Sequence, residues 1–191
     1  ARDMRARGEF VVDFSIGDPR EPTPPFIPEA LKKAVPAVSQ YPTVPGLREL
    51  RKAVADYVGR RFGVEVDPDS QVLPTSGSKE AIYTTPLALI TPGAGQAMVF
   101  GTPGYPVYER GALFAGAEAV GIRLAGDFVL RAGDIPAGVW RRAAGVWSCS
   151  PHNPTGSVTA AAELADLLAA CREHDALLLA DECYVDLYEG E

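Results

Sequence analysis

Short apolar strands alternating with amphipathic helices predict an α/β domain. The expected form is three layers, helix on sheet on helix, with a mostly parallel sheet buried on both faces. Two observations carry this. From residue 72 onward, apolar runs such as 96–100 and 177–180 are each followed by a loop of small or Pro residues. A helical period follows most of those loops. The composition agrees: 191 residues, 47% hydrophobic and 23% charged, is a globular profile. That length holds one domain, or a domain and part of a second. A disordered chain, a collagen-like repeat and a disulfide-stapled miniprotein are excluded, and no internal repeat or low-complexity tract is visible.

The elements follow in order. Residues 13–28 carry Pro19, Pro22, Pro24, Pro25 and Pro28, which forbid a long helix or a central strand. Residues 29–35 suit a short helix. A longer one is expected from Gly46 to Phe62, with Leu47, Leu50, Val54, Tyr57 and Val58 on its apolar face. Val72 and Leu73 form a short strand, and residues 78–90 a helix stopped by Thr91-Pro92-Gly93. Strand 96–100 leads to helix 107–114, then strand 119–124 and a helical turn at 139–142. Strand 146–149, helix 160–173 and strand 177–180 complete the pattern.

Charge and cysteine content narrow the partners. With 25 acids against 18 bases the net charge is −7, so no positive field gathers nucleic acid. No apolar run approaches the roughly 20 residues of a membrane helix. Arg2, Arg5 and Arg7 precede no apolar stretch, so no signal peptide is expected. Cys149, Cys171 and Cys183 are an odd set without a CxxC pair. They suit a reducing, cytoplasmic compartment and argue against a zinc site or any other metal. Ala1 at the start and Glu191 in mid-loop suggest a piece of a longer protein.

Ligands of parallel sheets bind at the carboxyl ends of strands, so the residues there are the candidates. After Val72-Leu73 come Ser76, Gly77, Ser78 and Lys79. Small residues opening a helix present free N–H groups and the positive dipole end to a phosphate; an ordinary helix cap is the alternative. After 96–100, Tyr105 sits between Gly104 and Pro106 on a stiff turn, where a ring can stack on a planar ligand or pack on its own loop. After 146–149, Pro151 and Pro154 frame His152 and Asn153. Asn153 can offer its amide to a ligand oxygen, whereas His152 reads as a loop residue without a carboxylate partner. After 177–180 comes Asp181, whose carboxylate is costly to bury at the end of an apolar strand without a cationic partner; a protonated heterocycle would serve. A helix cap or a surface ion pair are the alternatives. Cys183 reads as a small buried hydrophobe.

In this order and spacing the motifs resemble the pyridoxal-phosphate aminotransferases of fold type I, class I/II, over residues 16 to 188. Asn153-Pro154-Thr155-Gly156 and Asp181-Glu182-Cys183-Tyr184 are the most specific pieces. The resemblance implies a truncated large domain over 36–191, preceded by 1–35 as an arm and part of the small domain. It implies pyridoxal 5'-phosphate as cofactor. Ser76, Gly77 and Ser78 would hold its phosphate, with Lys79 adding charge, and Tyr105 would stack on the ring. Asn153 and Tyr184 would hydrogen-bond the phenolic oxygen, and Asp181 would pair with the ring nitrogen. Tyr41, in Tyr41-Pro42-Thr43, would reach the phosphate of a neighbouring subunit, implying a homodimer. Gly17 would lie over the substrate carboxylate.

Within that group the nearest likeness is to bacterial N-succinyldiaminopimelate aminotransferases of lysine biosynthesis. It rests on Ile16-Gly17-Asp18-Pro19, Gln40-Tyr41-Pro42-Thr43, residues 109–117 and Cys149-Ser150-Pro151. The implied substrates are an amino acid and a 2-oxo acid, with 2-oxoglutarate as acceptor. The family also requires a lysine to carry the coenzyme, and arginines for the phosphate and the substrate carboxylate. Only Lys32, Lys33, Lys52 and Lys79 are present, none suitably placed, so those groups are expected beyond residue 191. Alternatives stay open: another amino-acid transaminase, a C–S β-lyase or a decarboxylase on the same fold, the aminotransferase-like half of a transcription regulator, and a plain phosphate-binding module.

Overall fold

The computed structural model describes residues 2–12 and 21–187. Gly17 and Tyr188 lie outside the described residues. The chain divides into two compact units, Ala1–Val44 and Pro45–Glu191.

The first unit contains α1 (Arg2–Ala6) and α2 (Phe26–Ala34). Helix α2 starts three residues before the expected position, because Pro24 and Pro25 serve as entry residues without an N–H to lose. Its apolar side chains Phe26, Ile27 and Leu31 are all exposed, and no described residue of this unit is buried.

The second unit holds a four-stranded, all-parallel sheet. The strands are β1 (Ala97–Thr102), β2 (Glu118–Arg123), β3 (Ala143–Cys149) and β4 (Leu177–Asp181), in spatial order β2-β1-β3-β4. Its helices are α3 (Arg48–Phe62), α4 (Ser78–Leu89), α5 (Val107–Phe114), α6 (Ala137–Trp140) and α7 (Ala161–Glu173), with a 3-10 turn at Ala132–Asp134. Alternation along β1 creates two cores. Val99 points to one face with Val146, Leu167 and Cys171. Met98 and Phe100 point to the other with Trp147, Ile82, Tyr108 and Ala112. Helix α7 covers the first face, α4 and α5 the second, giving the three predicted layers. Each large side chain buried this way stabilises the fold by about 1.5–3 kcal/mol.

Helix α5 packs tightly on α4. A Cβ on Gly111 would lie 3.0 Å from the Tyr83 carbonyl oxygen and 3.2 Å from that of Ile82. Any larger residue would require the α4 backbone to give by a few tenths of an ångström, so glycine keeps the two helices this close.

Several expectations are corrected. Val72 and Leu73 form no strand: they pair with nothing among the described residues, and Pro74, which follows, has no N–H to donate. The expected apolar face of α3 is not buried, since Leu47, Leu50, Val54 and Tyr57 are exposed. The buried residue of α3 is Arg51, which donates to the Pro68 carbonyl at 2.6 Å and to Asp69 at 3.1 Å. Arg48 joins the same carboxylate. A polar clasp, not an apolar stripe, therefore holds α3 to the 67–71 turn. Strand β4 is not buried on both faces either. It has a strand neighbour on its β3 side alone among the described residues, and Leu177 is 53% exposed.

The connectivity locates a crevice. From β1 the chain moves outward to β2, then crosses back to β3 on the other side of β1. The two connections run on opposite faces, through α5 and through α6. The carboxyl ends of β1 and β3 are thus a topological switch point, where open α/β sheets bind ligands. The loops leaving those ends carry Tyr105 and Asn153.

Candidate active site

Asp181 ends β4, opposite Cys149 in the parallel register. It is 8% exposed, among the few buried charged residues. One carboxylate oxygen accepts the Tyr108 hydroxyl at 2.5 Å and the other the Cys183 backbone N–H at 3.2 Å. Tyr108 is the second residue of α5, buried and stacked on Trp147 with ring centroids 5.1 Å apart. Burial and then the bond to Asp181 hold its phenol far above the usual range, so it remains a donor.

Tyr105 lies edge-on to Tyr108 at 5.9 Å. Its loop is folded close: a Cβ on Gly104 would meet the Gly101 carbonyl oxygen at 2.3 Å, which only glycine avoids. The loop after β3 is laced by its own backbone. The Gly156 N–H donates to the His152 carbonyl at 2.7 Å, and the His152 N–H to that of Ser157 at 2.8 Å. The Asn153 N–H donates to Cys149 Sγ at 3.4 Å. Asn153 and Tyr184 line one hollow, with His152 and Leu187. The Tyr184 turn is held from α3, where the Tyr57 hydroxyl and Arg61 Nε reach the Asp186 carboxylate at 2.7 and 3.1 Å.

Ser78 and Asp181 line a second cleft, with Trp147 and Cys183. Its volume of about 470 Å³ lies within the ~300–1,000 Å³ of small-molecule sites. Ser76 and Lys79 line a third hollow, with Tyr83 and Arg110. Two backbone donors expected to be free are engaged here: the Ser76 N–H goes to Glu80 Oε2 at 2.5 Å and the Gly77 N–H to the Thr75 carbonyl at 2.8 Å. A carboxylate four residues on caps the turn first, so an anion at this end would rely on the hydroxyls, Lys79 and the following N–H groups. Ser76, Gly77, Ser78 and Lys79 are all exposed.

Asp181, Tyr105, Asn153, Tyr184 and Ser78 thus gather around the carboxyl ends of β1, β3 and β4. Tyr41, 99% exposed, belongs to the first unit. Gly17 lies outside the described residues. Two readings of the loops change. His152 is buried, its Nδ1 2.7 Å from the Thr155 hydroxyl, and burial lowers its pKa. Cys183 is exposed, because it follows the strand end on an outer turn; partial burial still raises its thiol pKa. The residue that sequence reasoning missed is Tyr108. Its signal was present, a second tyrosine three residues after Tyr105, at the start of the same helix. Among the described residues no group of three or more His, Cys, Asp or Glu could hold a metal, and no helix is long and apolar enough to cross a membrane.

The donor set fits pyridoxal phosphate. A buried carboxylate with lone pairs to spare suits a protonated ring nitrogen, an amide and a phenol suit a phenolate oxygen, and hydroxyls with a lysine at a helix start suit a phosphate.

Known proteins point the same way. The family model for aminotransferase class I and II matches residues 9–191. An LL-diaminopimelate aminotransferase of Nitratidesulfovibrio vulgaris (strain DSM 19637 / Miyazaki F) is 40% identical over 99% of this chain and 49% of its own length. The structure of N-succinyldiaminopimelate aminotransferase from Mycobacterium tuberculosis is 36% identical, with a TM-score of 0.80 over 87% of this chain and 44% of that one. A Thermus thermophilus aspartate aminotransferase superimposes with a TM-score of 0.90 at 29% identity, over 100% of this chain and 50% of that one. The chain spans about half the length of the relatives it matches.

Proposed function

This chain belongs to the aminotransferase class I and II family, and we propose that it is part of a pyridoxal-phosphate-dependent aminotransferase. The observation that carries the reading is the buried Asp181 carboxylate at the end of β4, held by two donors and lining a cleft with Ser78.

When bound, pyridoxal phosphate supplies an electron sink for charge developing at the substrate α-carbon. Asp181 would hold a proton on the ring nitrogen, which keeps that sink strong. Asn153 and Tyr184 would donate to the phenolic oxygen. Tyr105 would stack on the ring and so help keep the reacting bond oriented. The Ser76 and Ser78 hydroxyls and Lys79 would hold the phosphate, joined by Tyr41 of a second subunit in a homodimer, while Gly77, its N–H taken by the Thr75 carbonyl, would only shape the turn.

The donor is read as a diaminopimelate, free or N-succinylated, after the names of the relatives; 2-oxoglutarate is the proposed acceptor. Three free cysteines suit a cytoplasmic enzyme.

The test uses the full-length protein. Amino transfer from LL-diaminopimelate and from its N-succinyl form to 2-oxoglutarate is assayed for wild type, Asp181→Asn and Asp181→Glu. Loss of a preorganised charge at the reacting system is expected to lower kcat by about 10²–10³-fold in Asp181→Asn, with a milder loss in Asp181→Glu. Near-wild-type turnover in Asp181→Asn would remove the assignment, and turnover of neither donor would remove the substrate.

A further inference from the structure

We propose that Tyr108 is a positioning residue for Asp181, its phenol fixing the carboxylate that the proposed reaction depends on. This rests on the reading of Asp181 given above and adds a residue to it. A carboxylate has about four acceptor positions. At Asp181 one oxygen takes the Cys183 N–H and the other the Tyr108 hydroxyl. Both oxygens are thereby pinned and rotation of the group is stopped, while lone pairs remain for a ligand donor.

The phenol is itself immobile. Tyr108 is 2% exposed, stacked on Trp147 and edge-on to Tyr105. Nearby, Cys149 Sγ accepts the Asn153 N–H and donates to the Pro151 carbonyl, both at 3.4 Å. The Tyr108 ring braces Tyr105 at its edge. Two residues proposed to touch the coenzyme, Asp181 and Tyr105, are thus held against one buried side chain. Cutting the hydroxyl from Tyr108 would leave a largely buried carboxylate oxygen without its donor.

The experiment uses the full-length protein with pyridoxal 5'-phosphate as probe, in wild type, Tyr108→Phe, Asp181→Asn and the double variant. It reads coenzyme affinity of the apo-protein by fluorescence, the pH titration of the bound coenzyme's visible absorption, kcat against KM, and Tm. Tyr108→Phe is expected to weaken coenzyme affinity and lower kcat by about ten- to a hundredfold, with KM for the amino acid held within twofold. The absorption titration should shift in Tyr108→Phe, a change that loss of packing alone does not make. The double variant should be no worse than Asp181→Asn. Tyr108→Phe within twofold of wild type while Asp181→Asn is impaired would overturn the role of Tyr108 alone. Additive losses in the double variant would overturn it as well. No effect of Asp181→Asn, or no coenzyme binding by the wild type, would overturn the reading of the site itself. Should Tyr108→Phe fail to fold, the comparison passes to the double variant against Asp181→Asn, where no anion is left buried. Equal affinity in those two supports the coupling, and a further tenfold drop overturns it.

Discussion

His152 shows how much one burial decision changes a side chain. Sequence gives an imidazole in a Pro-rich loop. Folding puts it inside, against the Thr155 hydroxyl, where burial holds its pKa below the ordinary 6.5. The sign follows. Between its folded value and 6.5 the unfolded chain binds the proton that the folded chain refuses, so stability rises with pH in that window. The contribution is present above about 6.5 and is lost as pH falls through that value. An NMR titration of His152 in the full-length protein should give a pKa below 6.5, and the fall in Tm from pH 7.5 to 5 should shrink in His152→Asn. Asp181 illustrates the complementary case. Its identity, and its position after an apolar strand, were legible as a candidate. The Tyr108 hydroxyl that holds it comes from 73 positions away, and no local pattern encodes that meeting.

At the scale of elements, the contact between α4 and α5 governs the site. Gly111 lets the two backbones touch, and α5 carries Tyr108 in its first turn. Gly111→Val is expected to push α5 off α4 and destabilise the fold by about 1–3 kcal/mol, read as a lower denaturation midpoint. Because Tyr108 moves with α5, coenzyme affinity should fall with it, although residue 111 lines none of the hollows. The α3 helix makes the opposite point. Its 3.6-residue apolar period was clear and still misled about burial. The period reports that a stripe exists, and not what covers it, and in the described residues the stripe is exposed while Arg51 is clasped by Asp69 and the Pro68 carbonyl.

For the whole molecule, exposed apolar surface is the prominent feature. Phe26, Leu31, Val38, Val44, Leu47, Leu73, Phe114 and Leu177 are each more than half exposed. Surface of this kind favours association. Residues 1–191 expressed alone are expected to bind an apolar dye, to associate and to be poorly soluble; a monodisperse monomer with no dye binding would contradict this. The same fragment is expected not to transaminate. Lys52 pairs with Asp56, and Lys79 lines the hollow at the α4 start. Borohydride reduction of the fragment with pyridoxal phosphate should give no stoichiometric single-lysine adduct by mass spectrometry, and one specific adduct with amino transfer would refute the expectation. In the full-length protein, the proposed homodimer with a shared site predicts that Tyr41→Phe weakens coenzyme retention. A full-length enzyme active as a monomer at every dilution would contradict that.

The sequence by itself determined the α/β class, the order of elements from residue 78 onward, and the residues that follow each strand, because period, proline and glycine act locally and survive in any context. It also carried the family resemblance, through short motifs whose residues are neighbours in the chain. Tertiary structure alone decided three things: which apolar stripes find cover, that β4 ends in a buried carboxylate pinned from α5, and that the Ser76 and Gly77 N–H groups are already taken. Each depends on atoms brought together from distant positions or on competition for one donor, and a linear pattern records neither.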